Sequence, residues 1–159
     1  MKVIVLLYIS NLIAILIHEC GHLLAAMYVE YKITVFAVGP IGLYRQEGKW
    51  KLKLLKNFIS GIVAFEKPLH KVSLGNEFLV YSAGIMFNFG VGAILILLYF
   101  FTYKKYESGI LIIFGTISVF VGLVNVIPMR VKSLNLDTDA VHLIRLYRLA
   151  KGNRRPSNQ

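Results

Sequence analysis

Apolar residues run almost unbroken through three stretches of the chain, about 3–28, 78–102 and 109–127, with polar and basic segments between and after them. A helix needs about 20 such residues to cross a hydrocarbon core of roughly 30 Å, so the pattern predicts three transmembrane helices. Between the first two, apolar runs such as Val35-Phe36-Ala37-Val38 and Phe58-Ile59-Ser60-Gly61-Ile62-Val63-Ala64-Phe65 are too short to span. Lys49-Trp50-Lys51-Leu52-Lys53-Leu54 alternates charge and apolar bulk with period two, the pattern of a strand with one wet face and one buried or lipid-facing face. The expected fold is an all-α polytopic membrane protein: three transmembrane helices, an interfacial β-hairpin or loop between helices 1 and 2, and a C-terminal amphipathic helix from Val141 to Leu149. Residues 1–150 form one domain in this reading, and the basic tail 151–159, which contains Pro156, is expected to be disordered.

Composition agrees with a membrane protein, since 57% of the residues are hydrophobic and only 16% charged. The net charge of +10 comes without any RNA- or DNA-binding motif, so it reads as topological and no nucleic-acid partner is expected. With three spans, the 29–77 loop and the tail share one side of the bilayer and hold 15 of the 18 Lys and Arg. The positive-inside rule makes both cytoplasmic and the N-terminus external. The expected location is the cell membrane, in a bacterium. A cleavable signal peptide is the rival reading of residues 3–28, but cleavage after Ala25-Ala26 would discard the most informative residues of the chain, and His18 and Glu19 ahead of Cys20 do not suit a lipoprotein site.

Those residues are His18-Glu19-Cys20-Gly21-His22, set inside the first apolar stretch. On a helix, positions i and i+4 lie about 40° apart around the axis, so His18 and His22 present both imidazoles to one point that a divalent metal can occupy. Glu19 flanks that face, where its carboxylate can take a proton from a metal-activated water. Cys20 lies about 200° round the helix from His18 and is not counted as a ligand. A chance His-Glu-x-x-His on a soluble surface helix is the bland reading. Here the flanking residues are too apolar for a solvated face, and ionisable groups within a span are costly enough to imply a role.

Two further stretches carry polar residues into apolar surroundings. In the second span Asn88 is an amide in mid-membrane, either an interhelical hydrogen bond or a group that holds substrate or steadies a reaction centre, and Gly84, Gly90 and Gly92 remove bulk so that another helix can approach. The third span ends in Asn125-Val126-Ile127-Pro128, where the proline stops regular helix, and Leu136-Asp137-Thr138-Asp139-Ala140 follows.

Taken together, His18-Glu19-Cys20-Gly21-His22, Gly84-x-x-x-Asn88, and Asn125-x-x-Pro128 followed by an aspartate resemble the site-2 protease family of intramembrane zinc metalloproteases, and Phe36-Ala37-Val38-Gly39 does so too. The resemblance covers about residues 10–150. It implies one Zn2+ per chain held by His18, His22 and an aspartate, Glu19 as general base, and Gly84, Asn88, Asn125 and Pro128 as support for substrate or site. Two imidazoles and a carboxylate suit zinc better than magnesium or calcium. The chain also departs from the family pattern. Ile85 stands where a proline is common, and Leu136-Asp137-Thr138-Asp139 lacks the glycines of the usual third motif. Asp137 looks like the Leu-Asp form of that motif. Asp139 looks like a second form, in which the aspartate precedes an apolar helix, and would sit on a firmer backbone, while Asp137 has an N-cap role open to it. Asp139 is therefore the preferred ligand and Asp137 the second choice.

The expected function is hydrolysis of peptide bonds in a single-span membrane protein or a signal-peptide-like substrate, with the lipid bilayer as the other partner. An edge strand in the 29–77 segment could pair with extended substrate, and a basic loop gripping anionic headgroups fits the same residues. Two other classes compete. One is an inactive regulator or immunity-type binding protein on the same scaffold, which would not need Glu19. The other is a small proton-carrying channel or transporter component, against which His18, Glu19 and His22 sit at one point and do not form a chain across the membrane.

Overall fold

The computed structural model describes residues 2–55, 60–68, 72–106, 109–131 and 136–152. The first apolar stretch forms α1 (Lys2–Tyr28), and the segment after it folds into four strands, β1 (Lys32–Val38), β2 (Ile41–Gln46), β3 (Lys49–Leu54) and β4 (Gly61–Glu66). Then come α2 (Leu74–Tyr106), α3 (Ile110–Val126), two short paired strands β5 (Arg130–Val131) and β6 (Leu136–Asp137), and α4 (Asp139–Gly152). α1 and α2 are long and apolar enough to cross a membrane. α3, at the place of the third expected span, is shorter at 17 residues, about 25 Å of helix.

The three long helices pack as an antiparallel bundle with α2 in contact with both neighbours. A Cβ on Gly21 would lie 2.7 Å from the Ala83 carbonyl oxygen, and one on Gly92 would lie 2.9 Å from that of Gly115, so the backbones approach closely at both seams. Gly90, expected to serve such an approach, faces open space. The buried residues between α1 and α2 are small, among them Ala25, Ala26, Val80 and Ala83. Large side chains point outward instead: Ile4, Phe100, Phe101 and Phe120 are each more than 60% exposed. Small residues inside and large apolar ones outside suit a bundle whose surroundings are lipid tails.

The sheet is antiparallel with order β3-β2-β1-β4. The segment expected to hold an interfacial hairpin or small sheet forms a four-stranded sheet, so the chain is not all-α; Val35 to Val38 lie in β1 and Gly61 to Phe65 in β4. Half-buried β1 and β4 do not alternate cleanly, so only β3 showed its period in the sequence. Glu47 and Gly48 take φ of 50° and 78° between β2 and β3, the two positive values that a tight hairpin turn requires. β1 and β4 rest on α1, and Lys32 pairs with Glu66 at 2.6 Å where the two strands begin and end. At the other end of the chain Ile127 is extended, φ −82° and ψ 122°, as a residue before proline must be, and α3 stops there. α4 runs on to Gly152, and the remainder of the expected tail lies outside the described residues.

Candidate metal centre

His18 and His22 stand one turn apart on α1, both buried, with their Nε2 atoms 3.1 Å from each other. The third partner comes from the far end of the chain. Asp139, in the first turn of α4, brings Oδ2 to 3.0 Å from His18 Nε2 and 3.1 Å from His22 Nε2. Asp137 does not join them. It lies on β6 and faces Arg130 at 3.6 Å and Arg145 at 3.8 Å. α4 begins at Asp139, and Thr138 stands between it and Asp137.

The groups behind the imidazoles fix how the rings are presented. His22 Nδ1 lies 2.7 Å from the Val80 carbonyl oxygen, which only accepts, so Nδ1 carries the proton and Nε2 offers its lone pair to the site. His18 Nδ1 lies 3.2 Å from the Asn88 amide. Asn88 Nδ2 is the atom set against the ring, and Ser118 Oγ donates to Asn88 Oδ1 at 3.3 Å. The amide's oxygen and nitrogen can exchange places, and with Oδ1 turned to the ring Asn88 would accept the Nδ1 proton and leave the His18 Nε2 lone pair facing the site. Ser118 Oγ also donates to the Asn88 backbone oxygen at 3.0 Å. Partners of this kind hold metal-ligating histidines in place. Gly84 completes the wall, since a Cβ there would lie 2.7 Å from His18 Nε2 and closer still to that of His22.

Two imidazole lone pairs and a carboxylate oxygen therefore face one another at 3.0–3.1 Å, which repels unless a cation sits among them. Ligands of a tetrahedral zinc, about 2.0–2.2 Å from the ion, stand about 3.3 Å apart, so the donor set fits zinc. A proton shared among the three is the alternative occupant. Burial pushes the Asp139 carboxyl up, but its contacts with His18 and His22 outweigh this and hold it at about 2.

Glu19 is buried beside this cluster, 7% exposed. A Cβ on Gly61 would lie 2.6 Å from its Oε1, so the start of β4 can pass the carboxylate only as glycine. Both groups open onto a cleft of about 680 Å³ between α1, β4, α3 and α4, within the range of ligand sites. Asn125 lines this cleft while its amide donates to the Val121 carbonyl at 3.1 Å.

Three residues that hold α4 were not singled out in the sequence. Thr138 Oγ1 donates to the Ile127 carbonyl at 2.8 Å and accepts from the Met129 N–H at 3.0 Å, tying the exit of α3, on either side of Pro128, to the entry of α4. His142 stacks on Tyr81 with ring centroids 4.6 Å apart and planes 4° from parallel, joining α4 to α2 next to Val80. Burial and then the Arg145 guanidinium hold His142 below the ordinary imidazole value. A histidine three residues after Asp139, and so on its face of α4, was the available signal.

The family model of Peptidase family M50 matches residues 4–107. The chain belongs to peptidase family M50, the site-2 protease family. No curated protein and no solved structure matches it. The M50 match takes in α1, the sheet and α2, and with them His18, Glu19, His22, Gly84 and Asn88; α3 and α4, which bring Asn125, Pro128 and Asp139, lie beyond it.

Proposed function

We propose that this M50 chain is an intramembrane zinc metalloendopeptidase that cleaves single-span membrane proteins or signal-peptide-like segments. The observation that carries the reading is the meeting of His18, His22 and Asp139 beside buried Glu19 in one cleft. His18 Nε2, His22 Nε2 and Asp139 Oδ2 would hold the ion. Zinc bound there supplies a Lewis acid for the scissile carbonyl and makes a water more acidic. Glu19, pressed between α1 and β4, takes the proton of the attacking water and returns it to the leaving amine. β4 is one of the two edge strands of the sheet and lines the cleft from Gly61 to Phe65. An unwound substrate segment would pair along it, which aligns a peptide carbonyl beside Glu19.

In this reading α1, α2 and α3 are three spans, the 29–77 segment and the C-terminus are cytoplasmic and the N-terminus is external. His18 then lies in the inner half of the bilayer, near cytosolic water. A reporter fused after Gln159 is expected to be active in the cytoplasm, and activity confined to the outside would reverse the orientation.

Glu19→Gln separates the chemistry from the scaffold. The amide is nearly isosteric and cannot act as a base, so the variant should insert and carry zinc like the wild type while cleavage of co-expressed single-span proteins is lost. A protein that works only by binding would be indifferent to the substitution, and substantial residual cleavage would remove Glu19 from the role of base.

A further inference from the structure

The β2–β3 hairpin has two faces of opposite chemistry. Its register pairs Ile41 with Leu54, Leu43 with Leu52 and Arg45 with Trp50, and between them Gly42 with Lys53, Tyr44 with Lys51 and Gln46 with Lys49. Directly paired residues share a face of the sheet, so one face is apolar apart from Arg45 at the tip and the other carries a row of three lysines. Among the described residues nothing covers either face of β3, all six of whose residues are exposed, with Leu54 at 83% and Leu52 at 66%.

The apolar face continues across the sheet to Val38 and Phe36, the partners of Ile41 and Leu43. There it meets Ile9, Ile13 and Leu16 of α1 across an apolar groove of about 440 Å³. The hairpin thus extends the outward, apolar side of α1 sideways and holds its lysines on the opposite face. Lys53 Nζ sits 5.2 Å from the centre of the Tyr44 ring, so its stem lies back over the strands toward the hairpin tip.

We propose that the β2–β3 hairpin is an amphipathic wedge seated in an anionic lipid leaflet, with Ile41, Leu43, Leu52, Leu54 and Trp50 among the acyl chains and Lys49, Lys51 and Lys53 on lipid phosphates. This rests on the reading of α1 as a span and is independent of the catalytic step. An acidic protein could match the lysine row but would leave the apolar face in water. A bilayer edge matches both. The wedge would fix the sheet, and through β1 and β4 the strand that borders Glu19, at one depth in the membrane.

Trp50 is the single tryptophan of the chain, so its fluorescence reports on this hairpin alone. The full-length protein is reconstituted in phosphatidylcholine bilayers in which either phosphatidylcholine or phosphatidylglycerol carries brominated chains, and quenching gives the relative affinity of the two lipids beside Trp50. A preference for phosphatidylglycerol of fivefold or more is expected, because one lysine near an anionic surface contributes about that factor. It should fall to near one in Lys49→Gln/Lys51→Gln/Lys53→Gln and shrink as salt is raised. Equal quenching in the wild type, or a preference that survives the triple substitution, overturns the wedge, as does absence of quenching by either lipid. An acidic peptide that shifts Trp50 emission where anionic lipid does not would assign the row to a protein partner and also overturn it. Carbonate extraction of the same preparation keeps the two readings apart: an extractable protein sinks the membrane-spanning reading as well, whereas an inserted protein without lipid preference sinks only the wedge.

Discussion

The two sides of the candidate metal centre are built by different means. α1 delivers His18 and His22 through helix period alone, and α2 backs them with the Val80 carbonyl, Asn88 and the space left at Gly84. Asp139 arrives 117 residues after His22, on a short helix with only Ala140 and Leu146 buried. It is held in place by the Thr138 ties, the Tyr81–His142 stack and the pairs of Asp137 with Arg130 and Arg145. One side is a rigid seam between long helices; the other is a docked element. A site of this kind can lose its third ligand by undocking α4 while the histidines stay in place, so substitutions on the two sides should fail differently.

The largest expected effect comes from the ligand that the docked side supplies. Asp139→Ala leaves two imidazoles and should strip zinc and cleavage together. Asp137→Ala removes only long, part-exposed ion pairs, worth at most about 1 kcal/mol, and should keep zinc and most activity. Zinc content and cleavage measured on both variants side by side decide between the two aspartates, and a zinc-replete, active Asp139→Ala protein would sink the assignment.

On the rigid side Asn88→Ala should leave the fold of the bundle intact but free the His18 ring to turn. Loss of such a partner commonly costs 10–100-fold in metal affinity or activity. Excess zinc is expected to restore part of the cleavage, because the ligands themselves remain. If Asn88 instead served only as a bond between α2 and α3 through Ser118, metal affinity would not move while thermal stability fell.

How much of this could be read in the sequence follows the same division. The spacing of His18 and His22 on one helix face was legible because helix period fixes it whatever packs around, and Asn88 stood out as an amide in an apolar span. The partnership of Asn88 with His18 in particular was not legible, since it depends on the seam between α1 and α2. Asp137 and Asp139 could be ranked but not decided, because two residues of separation in a loop carry no geometric rule until Thr138 is seen to end the loop. The sheet was half legible. Lys49 to Leu54 alternate lysine with apolar residues and so show the strand period, whereas β4 is half-buried along most of its length and its residues do not separate by polarity.

The smallest effect, and the one that probes docking most directly, is expected at Thr138. Its hydroxyl accepts from the Met129 N–H and donates to the Ile127 carbonyl, and a hydrogen bond of this kind contributes about 1 kcal/mol net. Thr138→Val keeps the shape and removes both. The entry of α4 then loosens without any change in the three ligands, so zinc affinity should fall by roughly 5- to 30-fold, the range for about 1–2 kcal/mol. Cleavage at saturating zinc should stay near wild type, because the bound ion draws Asp139 back and Glu19 is untouched. Thr138→Ser, which restores the hydroxyl, should return the affinity. A Thr138→Val protein with wild-type zinc affinity would mean that the Tyr81–His142 stack alone seats α4, and the same measurement on His142→Ala would then show the larger loss.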